Sequence, residues 1–405
     1  VSVVVHQNGD NANPSPMKKR KAEEEADLDT SRPTALFKPT RARDWTVSIA
    51  LPGSWLNNAK KPDHKTMQVG RIARAAAVFC VDEIVVYDDD PSSVDPKVVA
   101  PKYMKGKKGR KTKPTKQEIL DSILEEDEPW QNPDQFLYHV LSFAECPPHL
   151  RMTLFPKHKN LEQAGILPSM DMPHHLRSHE WCQFREGSVI GPAPSPPSSS
   201  SDLEYAFIEA GLPYPIRVPI PPSAPVEEGM RTTIRFTDPN PPASWPHLTQ
   251  HECENLDAIA CPNALPREEA GYYWGYTVRR APSLSSVFSE CEYPEGYDYT
   301  MGTSERGVDI HSILPNNASA SHNKVAPSSF KHFLLVFGGV AGIEVAVAND
   351  AVLTEKGLGK QSASELFDAW VNLVPGQGSR TIRTEEAVEF GLCAVKPWVD
   401  GMYEG

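Results

Sequence analysis

Between Trp45 and Tyr87 a strand, a helix and an almost wholly apolar second strand follow one another with short connections, and this succession fixes the class of scaffold. Trp45-Thr-Val-Ser-Ile-Ala-Leu51 is short, rich in β-branched residues and stopped by Pro52-Gly53, the signature of a strand. From His64 to Cys80 the apolar residues Met67, Val69, Ile72, Ala73, Ala76 and Cys80 recur at helical spacing, with Arg71 and Arg74 on the opposite side. Ile84-Val-Val-Tyr87 has no polar alternation, as expected of a parallel strand buried on both faces. Strand, helix and strand make a βαβ unit, so the scaffold is α/β.

The rest of the chain divides by composition. Its 405 residues leave room for two or three domains, and no run of about 18 apolar residues is available to cross a membrane as a helix, so no membrane partner is expected. No secretory signal is visible, and a start at Val1 rather than Met leads us to expect a trimmed terminus. Seven scattered cysteines read as reduced thiols of an intracellular protein. The 41 basic and 53 acidic residues give a net charge of −12, which excludes a uniformly basic nucleic-acid binder but not local basic patches.

Such patches exist. Residues 1–44 read as a disordered tail holding Lys18-Lys19-Arg20-Lys21, a cluster suited to nuclear import, with a solvated charge run as the plainer reading. A loop over 91–116 carries nine cations between Lys97 and Lys116 and no acid there. Lys105, Lys107, Lys108, Arg110 and Lys111 form its centre, and together with Arg71 and Arg74 they are the candidates to grip a phosphate backbone. A solvated insertion is the alternative. Phe136 to Phe143 form a core helix stripe ending before Pro147-Pro148.

Proline is the compositional outlier, at 39 residues, and fourteen of them fall between Pro192 and Pro246. Strand-like pieces at Gly187–Ile190, Arg231–Phe236 and Tyr272–Val278 flank them, which predicts a small barrel or meander with lengthened loops. After Tyr293 the α/β pattern returns, with strands at Tyr297–Met301, Phe333–Phe337 and Val371–Val374, a helical stretch from Ser364 to Ala369, and a helix that Thr384 would cap. The expected layout is a tail at 1–44, the α/β domain at 45–185 and 290–405, and an inserted β domain at 186–289.

Three polar or glycine-rich turns follow those later strands: Gly302-Thr-Ser-Glu-Arg-Gly307, Gly338-Gly-Val-Ala-Gly342 and Pro375-Gly-Gln-Gly-Ser379. Glycine there lets a ligand approach the backbone, and open α/β sheets bind ligands beyond the carboxyl ends of their strands. The spacing GGxxG is not the dinucleotide fingerprint, and Gly357-Leu-Gly-Lys360 is not a P-loop. His247, His251, Cys253 and Cys261 lack a paired CxxC, and no metal is expected. His174, His175 and His179 sit in a polar stretch without a catalytic signature.

Val47-Ser-Ile-Ala-Leu-Pro-Gly53, Gly70 to Val86, Gly302 to Gly307, Phe337-Gly-Gly339 and Val374-Pro-Gly-Gln-Gly-Ser-Arg-Thr-Ile-Arg-Thr-Glu-Glu386 together resemble the SPOUT methyltransferase superfamily. The likeness is to its eukaryotic and archaeal branch, in which an OB-like β-barrel domain interrupts the methyltransferase domain. It implies an α/β fold with a parallel sheet, a C-terminal trefoil knot and a homodimer formed through the knot region. It also implies S-adenosylmethionine held by Thr303, Ser304 and Gly307, by Gly338, Gly339 and Gly342, and by Leu373, Val374, Pro375, Gly376, Gly378, Ser379 and Thr381. Arg306 and Arg380 would grip the target nucleotide, with Glu305 as base or orienting group. The expected substrate is RNA, above all ribosomal RNA, with uridine N3 as the first choice of atom and the nucleus or nucleolus as the place. Tyr272, Trp274 and Tyr276 would either stack bases or pack inside the barrel. The rival reading is a non-catalytic RNA-binding or spindle-associated scaffold that keeps the fold.

Overall fold

The computed structural model describes residues 41–92, 131–196, 203–220, 226–315 and 325–402. The Lys18–Lys21 cluster, the Lys97–Lys116 arm and the serine run at 198–201 lie outside them. Eleven strands are described: β1 (Thr46–Pro52), β2 (Glu83–Tyr87), β3 (Phe184–Ala193), β4 (Glu204–Glu209), β5 (Ile216–Ile220), β6 (Arg231–Phe236), β7 (Ala258–Cys261), β8 (Thr277–Ala281), β9 (Tyr299–Asp309), β10 (His332–Val336) and β11 (Ala369–Asn372). The helices that matter here are α1 (Pro62–Val78), α2 (Pro133–Glu145), α3 (Leu284–Ser289), α4 (Ile343–Asn349) and α5 (Thr384–Gly401).

Six strands form one sheet in the order β11-β9-β10-β1-β2-β8, and every pairing in it is parallel. The expectation for β2 holds: it is buried along its whole length, as is β1. Side-chain alternation splits these strands between two layers. Ile49, Leu51, Ile84, Val86, Phe333 and Leu335 pack under α1, α2 and α5, whereas Ala50, Val85, Leu334 and Val336 pack against α3 and α4. Pro62 opens α1 at a position where its missing N–H costs nothing, and Val69, Ile72, Ala73 and Ala76 bury one face. Met67 and Val78, on the same helix, stay more than half exposed.

The other five strands form an antiparallel sheet in the order β5-β4-β3-β6-β7. Its end strands β5 and β7 pack together, so the sheet is nearly closed into a barrel around Val189, Ile208, Val218, Ile234 and Phe236. Pro219 is accommodated because β5 is an end strand with only β4 as a ladder partner.

Two boundaries differ from expectation. The barrel ends at β7, because β8 pairs in parallel with β2 and α3 follows on the parallel sheet. The aromatic run that precedes β8 is therefore not a barrel strand. Tyr276 packs beside α2, its hydroxyl donating to Leu141 O, and the Trp274 indole donates to Glu186 Oε1 at 2.7 Å. Both side chains are buried, so of the two readings, base stacking or packing, these two residues take packing, while Tyr272 is half-buried. The stretch expected to be helical at Ser364–Ala369 is a short 3₁₀ turn, Ala363–Leu366, leading into β11.

A buried ionic cluster ties the barrel to the parallel sheet. Arg231 of β6 forks onto Glu145, the last residue of α2, at 2.6 and 3.0 Å, and its Nε donates to Glu186 of β3 at 2.6 Å. Thr233 and Trp274 donate to the other oxygen of Glu186, and the His174 Nε2 lies 2.8 Å from Glu145. Burial pushes the Glu145 carboxyl up, but the charge of Arg231 and the hydrogen bond from His174 outweigh it and hold the group far below the usual carboxylate range. Arg231→Met would leave two buried carboxylates without their cation. Because the Arg231 side chain is 32% exposed, the expected loss is about 3 kcal/mol, the lower end of the range for broken buried pairs. A carboxylate held low in the folded state stabilises fully above its unfolded pKa of about 4.3 and less as pH falls. The wild-type advantage in urea denaturation should therefore shrink below that pH.

Candidate functional site

Strands β9, β10 and β11 run side by side, with Val336 and Trp370 both registered against Gly302. Their carboxyl ends therefore release three loops next to one another. In the ladder between β11 and β9, Trp370 faces Gly302 but the next residue, Val371, faces Val308. Five residues, Thr303 to Gly307, are consequently looped out of β9, and they form the first of the three turns that the sequence marks out. Gly307 is required for the return: a Cβ there would collide with the Val371 backbone.

The first loop is held on both sides. Thr303 Oγ1 donates to Val336 O at 3.0 Å, and Ser304 Oγ donates to Glu344 Oε1 at 3.0 Å. Arg306 reaches the same Glu344 oxygen at 3.8 Å while remaining 66% exposed. Glu305 is exposed, and its carbonyl accepts from Asn372 Nδ2 at 2.9 Å, a bond that fastens the first loop to the end of β11.

The second loop folds back on itself, with Gly342 N donating to Gly339 O at 3.0 Å and Gly342 at φ +80. Its Gly338 carbonyl accepts from Thr384 Oγ1 at 3.2 Å, so the start of α5 lies against it. The N-cap expected at Thr384 falls one residue earlier, on Arg383. Thr384 is the first helical residue, its hydroxyl turned to the second loop. Beside this loop Ser54 Oγ donates to Asp89 Oδ2 at 2.6 Å.

In the third loop Leu373 is buried and Val374 half-buried, and Val374 N donates to Asn372 Oδ1. Gln377 is half-buried, while Pro375, Gly376, Gly378, Ser379, Arg380 and Thr381 are exposed. Gly376 has φ +73, a conformation an L side chain resists, whereas Gly378 has an ordinary φ and a Cβ there would meet nothing within 4 Å.

The residues expected to hold the cofactor, with Glu305, Arg306 and Arg380, thus lie on three loops that leave the carboxyl ends of neighbouring strands. Arg71 pairs with Glu389 of α5 at 2.9 Å, and Arg74 donates to Met170 O. Among the described residues no group of three metal-ligating side chains gathers, and Cys253 is buried in the barrel core. Sequence reasoning missed Glu344 and Asn372, the two side chains that brace the first loop. Neither belongs to a glycine turn, and their partners lie 40 and 67 residues away.

Comparison with known proteins decides the family. Residues 46–395 match the model of the family described as "Putative RNA methyltransferase". The chain belongs to this RNA methyltransferase family. It is also similar to curated relatives. It is 38% identical over 382 residues to the human 28S rRNA (uridine-N(3))-methyltransferase, covering 94% of this chain and 85% of that protein. The mouse protein of the same name is 38% identical over 362 residues, covering 89% and 78%. The fruit-fly one is 34% identical over 377 residues, covering 93% and 66%.

Two loop glycines, one in the third loop and one in the first, should respond differently to an added side chain. Gly378→Val should leave the melting temperature of the unliganded protein within about 1–2 °C, since surface changes of this kind stay within about 0.5 kcal/mol. Gly307→Val should lower it by many degrees, because the Val371 backbone cannot yield. Thermal unfolding of the two variants checks both.

Proposed function

We propose that the protein is an S-adenosylmethionine-dependent methyltransferase of the SPOUT type that methylates N3 of a uridine in ribosomal RNA. The observation that carries this is the convergence of three loops on the carboxyl ends of β9, β10 and β11 in a chain whose relatives bear that activity in their names. The residues present suit the methyl donor. Gly376 and Gly378 expose backbone with open space where a Cβ would stand, and Leu373 and Val374 supply an apolar flank for an adenine. Thr303, Ser304 and Gly307, Gly338, Gly339 and Gly342, and Pro375, Ser379 and Thr381 would complete the cradle.

When bound, S-adenosylmethionine supplies an electrophilic methyl group on a sulfonium. The chain's own contribution is to position the acceptor in line with it and to keep water out. Arg306, held near Glu344 yet largely exposed, and Arg380 on the third loop would grip the phosphates flanking the target uridine. Glu305 neighbours Arg306 on the first loop, where an exposed carboxylate can orient the nucleotide.

A trefoil knot is part of this reading. It is supported by the path after β11: that strand lies outside β9, yet α5 returns to pack Gly391 against Leu335 and Phe337 of the β10 segment and Thr384 against Gly338. The barrel order β5-β4-β3-β6-β7, with its ends in contact, supports an OB-like insert. Homodimerisation through α5 is supported by Phe390, 42% exposed, which stands between a groove of about 670 Å³ shared with Met67 and Val78 and another of about 510 Å³ beside Leu373 and Val374. The Lys18–Lys21 cluster supports a nuclear location, and the arm holding Lys105, Lys107, Lys108, Arg110 and Lys111 would supply backbone affinity for RNA.

Incubating the protein with 28S rRNA and S-adenosylmethionine should yield N3-methyluridine, read by nucleoside mass spectrometry. Absence of that nucleoside, with cofactor binding also absent in calorimetry, would favour the scaffold reading. Deleting residues 97–116 should flatten the dependence of log Kd on log salt by about 0.7–0.9 for each phosphate the arm no longer neutralises.

A further inference from the structure

Glu305, Glu344 and Asp89 are carboxyl groups near the candidate loops. Glu305 is exposed to water, and Glu344 is committed to Ser304 and Arg306. Asp89 differs from both. It lies two residues beyond β2, its backbone carbonyl fixed by Asn349 Nδ2 of α4 at 3.0 Å, and its Oδ2 receives the Ser54 hydroxyl from the turn after β1. These two side-chain oxygens face Gly339 of the second loop. A Cβ on Gly339 would lie 2.9 Å from each of them, so only a glycine lets the second loop come this close to the carboxylate and hydroxyl.

The chemistry of the acceptor calls for such a group. N3 of uracil is an imide nitrogen whose lone pair is spread into two flanking carbonyls, and it becomes nucleophilic only as its proton leaves. We propose that Asp89, positioned by Ser54, is the base that takes the N3 proton of the target uridine. The assignment rests on the uridine-N3 reading given above. The proton passes from N3 to an Asp89 carboxylate oxygen while the N3–CH₃ bond forms. The C–S bond breaks with its electron pair remaining on sulfur, which becomes a neutral thioether. Glu305 keeps the orienting role.

The surroundings of Asp89 suit a proton acceptor. Burial pushes its carboxyl pKa up, the Ser54 hydrogen bond acts against this, and the charges of Asp88 and Asp90 add to the rise. A carboxylate of raised basicity takes a proton from a weak acid more readily than an ordinary surface one. Glu305, exposed to water, has no such burial.

The test compares Asp89→Asn with the wild type on two versions of one 28S rRNA fragment, one with uridine at the methylated position and one with 5-fluorouridine, whose N3 proton is more acidic. Calorimetry with S-adenosylhomocysteine and thermal unfolding accompany the rates. The expected result is a drop in kcat of about 10²–10⁴-fold on uridine, the usual contribution of a general base, with S-adenosylhomocysteine affinity and melting temperature unchanged. The loss on 5-fluorouridine should be much smaller. Asp89→Glu, which keeps a carboxylate, should recover part of the uridine rate. Equal losses on the two RNAs, or a loss of S-adenosylhomocysteine binding that parallels the loss of rate, would overturn the assignment. A wild-type protein that methylates neither RNA at N3 would overturn the uridine reading, and Asp89 as its base with it.

Discussion

The backbone ladder of β10 is the constraint on which the rest of the site depends. It pairs in parallel with β1 along one edge and β9 along the other, and β9 in turn carries β11. Parallel pairing puts the carboxyl ends of all four strands at one end of the sheet, so the turns that follow them become neighbours although they lie far apart in sequence. The same ladder explains the first loop. Register is lost for five residues between Gly302 and Val308 and then regained, which fixes both feet of the loop and leaves its tip outside the sheet. Cross-links from Thr303, Ser304 and Asn372 then limit what the tip can do.

The barrel is attached to this scaffold through a buried charge cluster. Arg231 spans Glu145 of the helical layer and Glu186 of the barrel, with His174 and Trp274 filling further hydrogen-bond directions. Two carboxylates buried beside one guanidinium are stable only when every partner is in place, so the arrangement tolerates little variation in the angle between barrel and sheet. The barrel is thereby held in a fixed relation to the helical layer that covers the parallel sheet.

What can be read from sequence follows burial. Ile84 to Tyr87 and Phe333 to Phe337 announce themselves because a strand covered on both faces has no polar alternation. The barrel strands β4 and β5 do not, because Glu204, Tyr205, Arg217 and Pro219 interrupt them with polar or proline positions that a small antiparallel sheet accepts. β8 is hidden by its own charges. Arg279 within it is neutralised by Glu83 on the neighbouring strand at 3.1 Å, a pairing that no local pattern reveals, while the aromatic residues before it imitate a strand. In the site, the glycines mark where backbone must turn or be approached, and they are legible. Glu344, Asn372 and the Ser54–Asp89 pair become visible only when the sheet brings distant segments together.

That three loops from adjacent parallel strands hold one methyl donor is tested most directly by amide hydrogen exchange of the full chain with and without S-adenosylhomocysteine, which reports each segment separately. Added protection should appear in residues 303–307, 338–342 and 373–381 together, with the barrel strands unchanged. Protection confined to one of the three loops, or appearing in the barrel instead, would contradict a shared cradle.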